Sequence, residues 1–314
     1  MSGIDRARVY FGVQAVAGLI WWVLVFVSDV VRQATLGEWS PAVLIVPDMV
    51  LFVGASGGAA LSGRRVWAVV ATAWTLAMTV ALAVVGLSDQ MAGWGVVAMT
   101  LASLGSLAAA ATLWFGRLPT RWFFVGPFSF QEADDRTRTG HLVRSLVQLV
   151  MFWSFFFVVV PLVLTAIERR LDLDVPALAS DVWQTIGAVL FAVGSASGLW
   201  SCVTMAWQGH GTPLPAETAR DLVVVGPYAY VRNPMAVAGA AQVVGVGLWL
   251  GSWLVVAVGF AGAALWDVVI RPVEEADLAA RFGESYERYR AAVRCWIPRR
   301  PAAGAAWRGR GPAR

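Results

Sequence analysis

The sequence predicts an all-α integral membrane protein, a polytopic bundle of about eight transmembrane helices with a C-terminal amphipathic, interfacial helical region. Three observations predict it. Only 14% of the 314 residues are charged and 58% are hydrophobic, whereas a soluble domain carries roughly 25% charged residues. Uninterrupted apolar runs recur along the chain, and roughly 20 apolar residues suffice to span a bilayer as a helix. The 17 tryptophans suit the headgroup level, which indole rings favour.

The apolar segments follow one another at 10–27, 41–61, 66–87, 91–115, 142–167, 182–207, 235–250 and 253–270. Arg6 and Arg8 precede the first, as in a secretory leader. No small-residue cleavage site follows, because the run ends in Ser28-Asp29-Val30-Val31-Arg32, so it is read as a retained first helix. The last two segments are short, and Gly251-Ser252 between them allows only a tight turn. They form a helical hairpin.

Charge orients the set. With the N-terminus in the cytoplasm, inside loops hold Arg64, Arg65, Arg117, Arg121, Arg136, Arg138, Arg220 and Arg232. Outside loops keep only Arg32, Arg169 and Arg170, beside Glu168, Asp172, Asp174 and Asp181. The positive-inside rule then places both termini in the cytoplasm of a multi-pass inner (plasma) membrane protein. All 24 basic residues are arginine and the net charge is +4. They are scattered over loops, so no nucleic-acid face is expected. Two cysteines without a CxxC pattern and two histidines, His141 and His210, argue against a metal site and for free thiols.

From Arg271 the character changes. Phe282, Tyr286, Tyr289 and Val293 share one helical face, with Arg281, Glu284, Glu287, Arg288 and Arg294 on the others. This predicts an amphipathic helical region against the membrane surface, bent at Gly283 and ended by Pro298. The expected domains are N-terminal transmembrane helices of unassigned role (1–140), a core holding the chemistry (141–298) and a disordered Arg/Ala/Gly/Pro tail (299–314). The long inside stretches 116–140 and 208–234 share Val125-Gly-Pro-Phe-Ser-Phe130 and Val225-Gly-Pro-Tyr-Ala-Tyr230, read as two similar membrane-entry turns.

Charges bordering apolar helices are expensive and need a reason. The densest set is Arg232, Asp267, Arg271, Glu274 and Glu275. The hairpin 235–270 returns the chain to the side it left, so Arg232-Asn233-Pro234 meets Arg271-Pro-Val-Glu-Glu275 at one interface. Glu274 can accept hydrogen bonds from a ribose or an ammonium. Pro234 fixes irregular backbone beside it, and Tyr228 and Tyr230 add flat amphipathic surface. Each feature also has an ordinary reading. The two glutamates are an acidic pair near a helix start, Arg232 is a positive-inside anchor, and Asp267–Arg271 is an i,i+4 pair. Tyr286 and Tyr289 are packing anchors, and His210 is a loop residue close to the site.

The stretch Leu222-Val-Val-Val-Gly-Pro-Tyr-Ala-Tyr-Val-Arg-Asn-Pro-Met235, then Glu274-Glu-Ala-Asp-Leu278 and Phe282-Gly-Glu-Ser-Tyr-Glu-Arg-Tyr289, resembles the isoprenylcysteine carboxyl methyltransferase family. The bacterial members and the phospholipid methyltransferases belong to the same wider group. The resemblance runs over about 209–298. It implies a helical bundle whose C-terminal part wraps S-adenosylmethionine on the cytoplasmic face. Carried over residue by residue, it makes Leu222, Val223, Tyr228, Asn233, Pro234 and Glu274 cofactor-binding, with Arg232 in the same segment. Arg271 stands one position from a family arginine on the substrate side, and Glu275 is the nearest candidate base, so these two are the candidate catalytic residues. Asn233 replaces the commoner histidine and Ala236 a common tyrosine. Asparagine keeps a donor and an acceptor but does not titrate near neutrality, which removes any mechanism with a histidine base there.

The function expected is methyl transfer to a lipophilic or membrane-partitioned acceptor, a carboxylate, thiol or amine, with membrane lipids as the surroundings. The alternatives are an NADPH-dependent membrane enzyme like the sterol reductases, although no dinucleotide fingerprint is present, and a non-enzymatic scaffold or transporter.

Overall fold

A computed structural model describes residues 2–120, 137–212 and 219–298. The Val125–Phe130 segment and the tail 299–314 lie outside the described residues. Among the described residues there are ten helices and no strand. In order they are α1 (Gly3–Val27), α2 (Asp29–Leu36), α3 (Pro41–Ser62), α4 (Arg65–Asp89), α5 (Gly93–Phe115), α6 (Thr139–Arg170), α7 (Asp181–Gln208), α8 (Pro234–Leu250), α9 (Trp253–Phe282) and α10 (Glu284–Ala292). Seven of them are long and apolar enough to cross a membrane, and α8 is a shorter apolar helix of 17 residues. All eight expected segments are therefore helical, with the eighth segment embedded in a longer helix.

Polar groups and exposed faces are inverted relative to a water-soluble protein. On α1, Val13, Val16, Ile20 and Val23 are each more than half exposed, while Gln14 is buried. In water that arrangement would cost the burial of a polar side chain and gain nothing from the valines. In lipid it is the stable one, because the polar group must find its partners inside the protein.

The helices form two compact units. The first comprises Met1–Thr120 with Ile167–Leu173. Ser2 opens α1 with a capping box: its Oγ accepts from the Asp5 amide at 3.1 Å, and Asp5 accepts from the Ser2 amide at 2.9 Å. Ser28 ends α1 and caps α2. Gln14 is satisfied from three directions, by Tyr10 at 2.7 Å, Ser56 at 3.0 Å and Ser106 at 2.9 Å. This ties α1 to α3 and α5. Arg170 belongs to this unit because its guanidinium donates to the last carbonyls of α4, Leu87 and Ser88, at 2.5 and 2.9 Å.

The second unit holds Arg121–Ala166 and Asp174–Arg314. Its centre is the pair α7 and α8, which glycines bring into backbone contact. A Cβ on Gly187 would lie 2.5 Å from the Gly245 carbonyl, and one on Gly245 would lie 2.8 Å from the Phe191 amide. Small residues permit this close approach inside membranes. Gly251, at φ +68°, makes the tight turn expected between α8 and α9, and Ser252 caps α9 by accepting from the Val255 amide at 3.3 Å.

Two details differ from the sequence reading. α9 does not stop at the membrane edge but continues unbroken to Phe282, passing through a π-helical turn at Trp266–Ile270. About 20 helical residues cross the hydrocarbon core, so we read its span as Trp253–Ile270 and the charge-rich remainder as lying beyond it. The bend at Gly283 is present, at φ +53°. The C-terminal helix ends at Ala292, however, six residues before Pro298. Its apolar face explains this: Tyr286, Tyr289 and Val293 pack on Val224, with Leu222, Leu278, Ala279 and Phe282 around them. Packing on the loop, rather than the proline, sets where the helix stops.

Candidate functional site

The site residues lie in the second unit, where the segment 222–234, the outer part of α9 and the C-terminal segment converge. Gly226 starts the approach. It adopts φ +59°, and a Cβ there would sit 3.0 Å from the Thr204 hydroxyl. Pro227 follows in a short 3-10 turn, Gly226–Ala229, which delivers Tyr228 to the interior. Val223 and Tyr228 are buried, and Leu222 is half-buried against the Tyr286 cluster.

Asn233 and Pro234 stand at the start of α8. Pro234 takes the first helical turn, where its missing N–H costs nothing. Asn233 is the N-cap, accepting from the Ala236 amide at 3.1 Å through Oδ1. Its Nδ2 donates to Glu274 Oε2 at 3.2 Å. One amide thus caps α8 and holds a carboxylate on α9, with a donor and an acceptor both in use.

Glu274 is half-buried. Desolvation, with the charges of Glu275 and Asp277 nearby, pushes its carboxyl up to about 7. Among the described residues its Oε1 has no hydrogen-bond partner. Tyr228 is within electrostatic reach of it, and burial, with Tyr289 and Glu274 alongside, holds the Tyr228 hydroxyl well above its usual range. That hydroxyl stays protonated and is a donor. It is buried and has no hydrogen-bond partner among the described residues. A buried hydroxyl without a partner is costly, so this corner suits a polar group that the described residues do not supply.

Arg232 and Glu275 form a second layer. Arg232 Nη2 donates to Glu275 Oε1 at 2.7 Å, and Nη1 donates to the carbonyls of Arg290 and Val293 at 2.8 and 2.9 Å. The Arg232 amide donates to the Arg294 carbonyl at 3.0 Å. This arginine therefore ties the loop, α9 and the C-terminal segment together. Arg271 pairs with Asp267 at 2.9 Å and stands 3.9 Å from Glu275, so the i,i+4 pair read from the sequence is present. Asp267 also accepts from the Trp296 indole at 2.6 Å. His210 pairs with Asp221 at 2.9 Å.

Two contributors escaped sequence reasoning. The Tyr289 hydroxyl donates to the Tyr228 carbonyl at 2.7 Å, so it fixes the backbone that presents Tyr228. Trp296 fixes Asp267. The Tyr286/Tyr289 spacing marked a packing face, but no pattern in the sequence shows which backbone carbonyl a tyrosine hydroxyl reaches.

Residues 182–285, from the start of α7 to the first turn of α10, match the family model of phospholipid methyltransferase. The match includes the Gly226–Pro234 and Glu274–Leu278 motifs that carry the family resemblance, and it makes the stretch from α7 to α9 similar to a membrane phospholipid methyltransferase. No curated protein matches the chain.

Proposed function

We propose that the protein is an S-adenosylmethionine-dependent methyltransferase whose acceptor is lipophilic and enters from the membrane. The observation that carries this is a buried donor without a partner among the described residues, the Tyr228 hydroxyl, together with a half-buried acceptor, Glu274 Oε1, inside the family-matched segment. The residues present fit that cofactor. Glu274 offers an acceptor for ribose hydroxyls or an ammonium, Tyr228 a donor, and Leu222 and Val223 an apolar wall. When bound, S-adenosylmethionine supplies a methyl group already activated for in-line displacement.

The chain's own task is then alignment and exclusion of water. Asn233 orients Glu274. Arg232, with Tyr289, holds the loop closed over α9. Glu275 is engaged by the Arg232 guanidinium and has Arg271 beside it, so its carboxylate is already committed to partners within the fold. This favours acceptors that need no base, a carboxylate or a thiolate, over a hydroxyl. Arg271, beyond that pair, is suited to steer an anionic acceptor. We place the chemistry in the 141–298 core, on the cytoplasmic side of a cell membrane, in keeping with the arginine distribution.

The test is isothermal calorimetry of S-adenosylmethionine on detergent-purified protein, followed by transfer of a labelled methyl group to a host lipid extract. Binding weakened at least ten-fold by Glu274→Ala is expected. Unchanged binding in that variant would sink the site assignment.

A further inference from the structure

The first unit contains a cavity of about 360 Å³ among α1 to α5. At roughly 30 Å³ per water-sized group, it has room for about a dozen such groups. Its walls are almost entirely apolar, and four tryptophans line it: Trp21, Trp22, Trp39 and Trp74. One lining residue is a carboxylic acid, Asp48, buried inside the transmembrane helix α3.

An ionisable group at that depth marks function by default, because burying it in apolar surroundings is costly. Asp48 is held with care. Its Oδ2 accepts from the Trp22 indole at 2.7 Å and its Oδ1 from the Trp74 indole at 2.6 Å. It follows Pro47 and precedes a π-helical stretch, Met49–Gly54, an irregularity frequent at functional sites. Yet both donors are neutral, and no arginine or histidine among the described residues pairs with it. The other buried polar group lining this cavity, Gln14, is fully engaged by Tyr10, Ser56 and Ser106. Asp48, by contrast, is a buried acid on this cavity with no cationic partner among the described residues.

We propose that this cavity binds a lipophilic ammonium, a single-chain amphiphile whose cationic head lies against Asp48 and the tryptophans while its chain fills the apolar remainder. Charge complementarity commits the site to that occupant. A carboxylate supplies the counter-charge, and indole faces attract cations most strongly of the aromatic rings. The indoles are fixed before the ligand arrives, Trp22 and Trp74 by Asp48 itself and Trp21 by the Thr35 hydroxyl at 3.1 Å. Little ordering is left to do on binding. An anionic or uncharged amphiphile would leave Asp48 without a counter-charge. The inference does not depend on the methyltransferase reading, since all its residues belong to the first unit.

The test uses the full-length protein in maltoside micelles, which are uncharged. Binding of dodecyltrimethylammonium, dodecanol and dodecanoate is measured by native mass spectrometry and by thermal stabilisation. The expected result is at least ten-fold tighter binding of dodecyltrimethylammonium than of the other two, lost in Asp48→Asn. Trp39→Leu leaves both Asp48 hydrogen bonds in place and is expected to weaken the cation several-fold without changing dodecanol. Equal binding of the three probes overturns the proposal, as does undiminished cation binding in Asp48→Asn. Should that variant not fold, the preference among probes in the native protein and its response to Trp39→Leu decide.

Discussion

Asn233 and Glu274 lie 41 positions apart and share a hydrogen bond, Nδ2 to Oε2 at 3.2 Å, while Asn233 Oδ1 caps α8. A single side chain therefore couples the start of one helix to the orientation of a carboxylate on the next. The two duties can be separated. Asn233→Ala removes both, with a stability loss of about 1 kcal/mol for the cap and weaker S-adenosylmethionine binding. Asn233→Ser retains the cap and loses only the reach to Glu274, so it should restore thermal stability but not affinity. Melting temperature and calorimetric Kd, measured on both variants, check this. A serine variant that recovers both would show that Glu274 does not need Asn233.

The raised Glu274 carboxyl gives the site a pH dependence. Its folded-state value of about 7 exceeds the unfolded value of about 4.3. The folded state therefore holds the proton more tightly. That contribution to stability is present in full below the unfolded value and is lost as pH rises through 7. Cofactor binding should run the other way, because the ionised carboxylate is the better acceptor for ribose hydroxyls or an ammonium. A site that must lose its proton at about 7 gains about ten-fold in affinity from pH 6 to pH 8. Glu274→Gln should flatten both profiles. Titrations of melting temperature and Kd across that range test the two signs independently.

Much of this was legible in the sequence. Apolar length and the Gly251-Ser252 turn gave the eight helical segments and the hairpin, and the hairpin alone brings Asn233 towards Glu274. The motifs gave the resemblance that the family match over residues 182–285 shares. What stayed hidden depends on which partner a long side chain chooses. Arg232 reads equally as an interfacial anchor or a ligand residue, and only the fold shows its guanidinium on Glu275 and on two carbonyls of the C-terminal segment. Val293 falls on a helix face by spacing, yet it is extended backbone one residue beyond the last helical residue, Ala292. Its burial beside Val224 depends on a loop, and loop geometry has no period to read. Asp48 is a single acid in an apolar run, and one residue has no spacing signature to mark it.

Arg232 gives a third prediction. Its side chain and that of Glu275 are only 13% and 18% exposed, and removing one partner from such a pair strands the other. Arg232→Ala should cost about 2–4 kcal/mol and release the C-terminal segment, which limited proteolysis between Ala292 and Pro298 would register. Arg232→Lys should rescue little, because an ammonium cannot reach a carboxylate and two carbonyls in the same planar fork. If the alanine variant resists proteolysis like the native protein, the clamp is not what holds the segment.

Tyr228 separates stability from binding most sharply. Its hydroxyl is buried without a partner among the described residues, so Tyr228→Phe removes an unsatisfied polar group at nearly constant shape. Such a change is neutral or stabilising by about 1 kcal/mol, where most buried substitutions destabilise. The same hydroxyl is the donor proposed to meet the cofactor, and its loss should weaken S-adenosylmethionine binding about ten-fold. Tyr289→Phe is the counterpart. It deletes a satisfied hydroxyl, the donor to the Tyr228 carbonyl at 2.7 Å, and should lower stability by about 1 kcal/mol with a smaller effect on binding. Opposite movements of melting temperature and affinity in Tyr228→Phe are difficult to obtain from a merely structural residue. A phenylalanine variant that loses stability and keeps full affinity would mean that the hydroxyl serves the fold and that the ligand lies elsewhere.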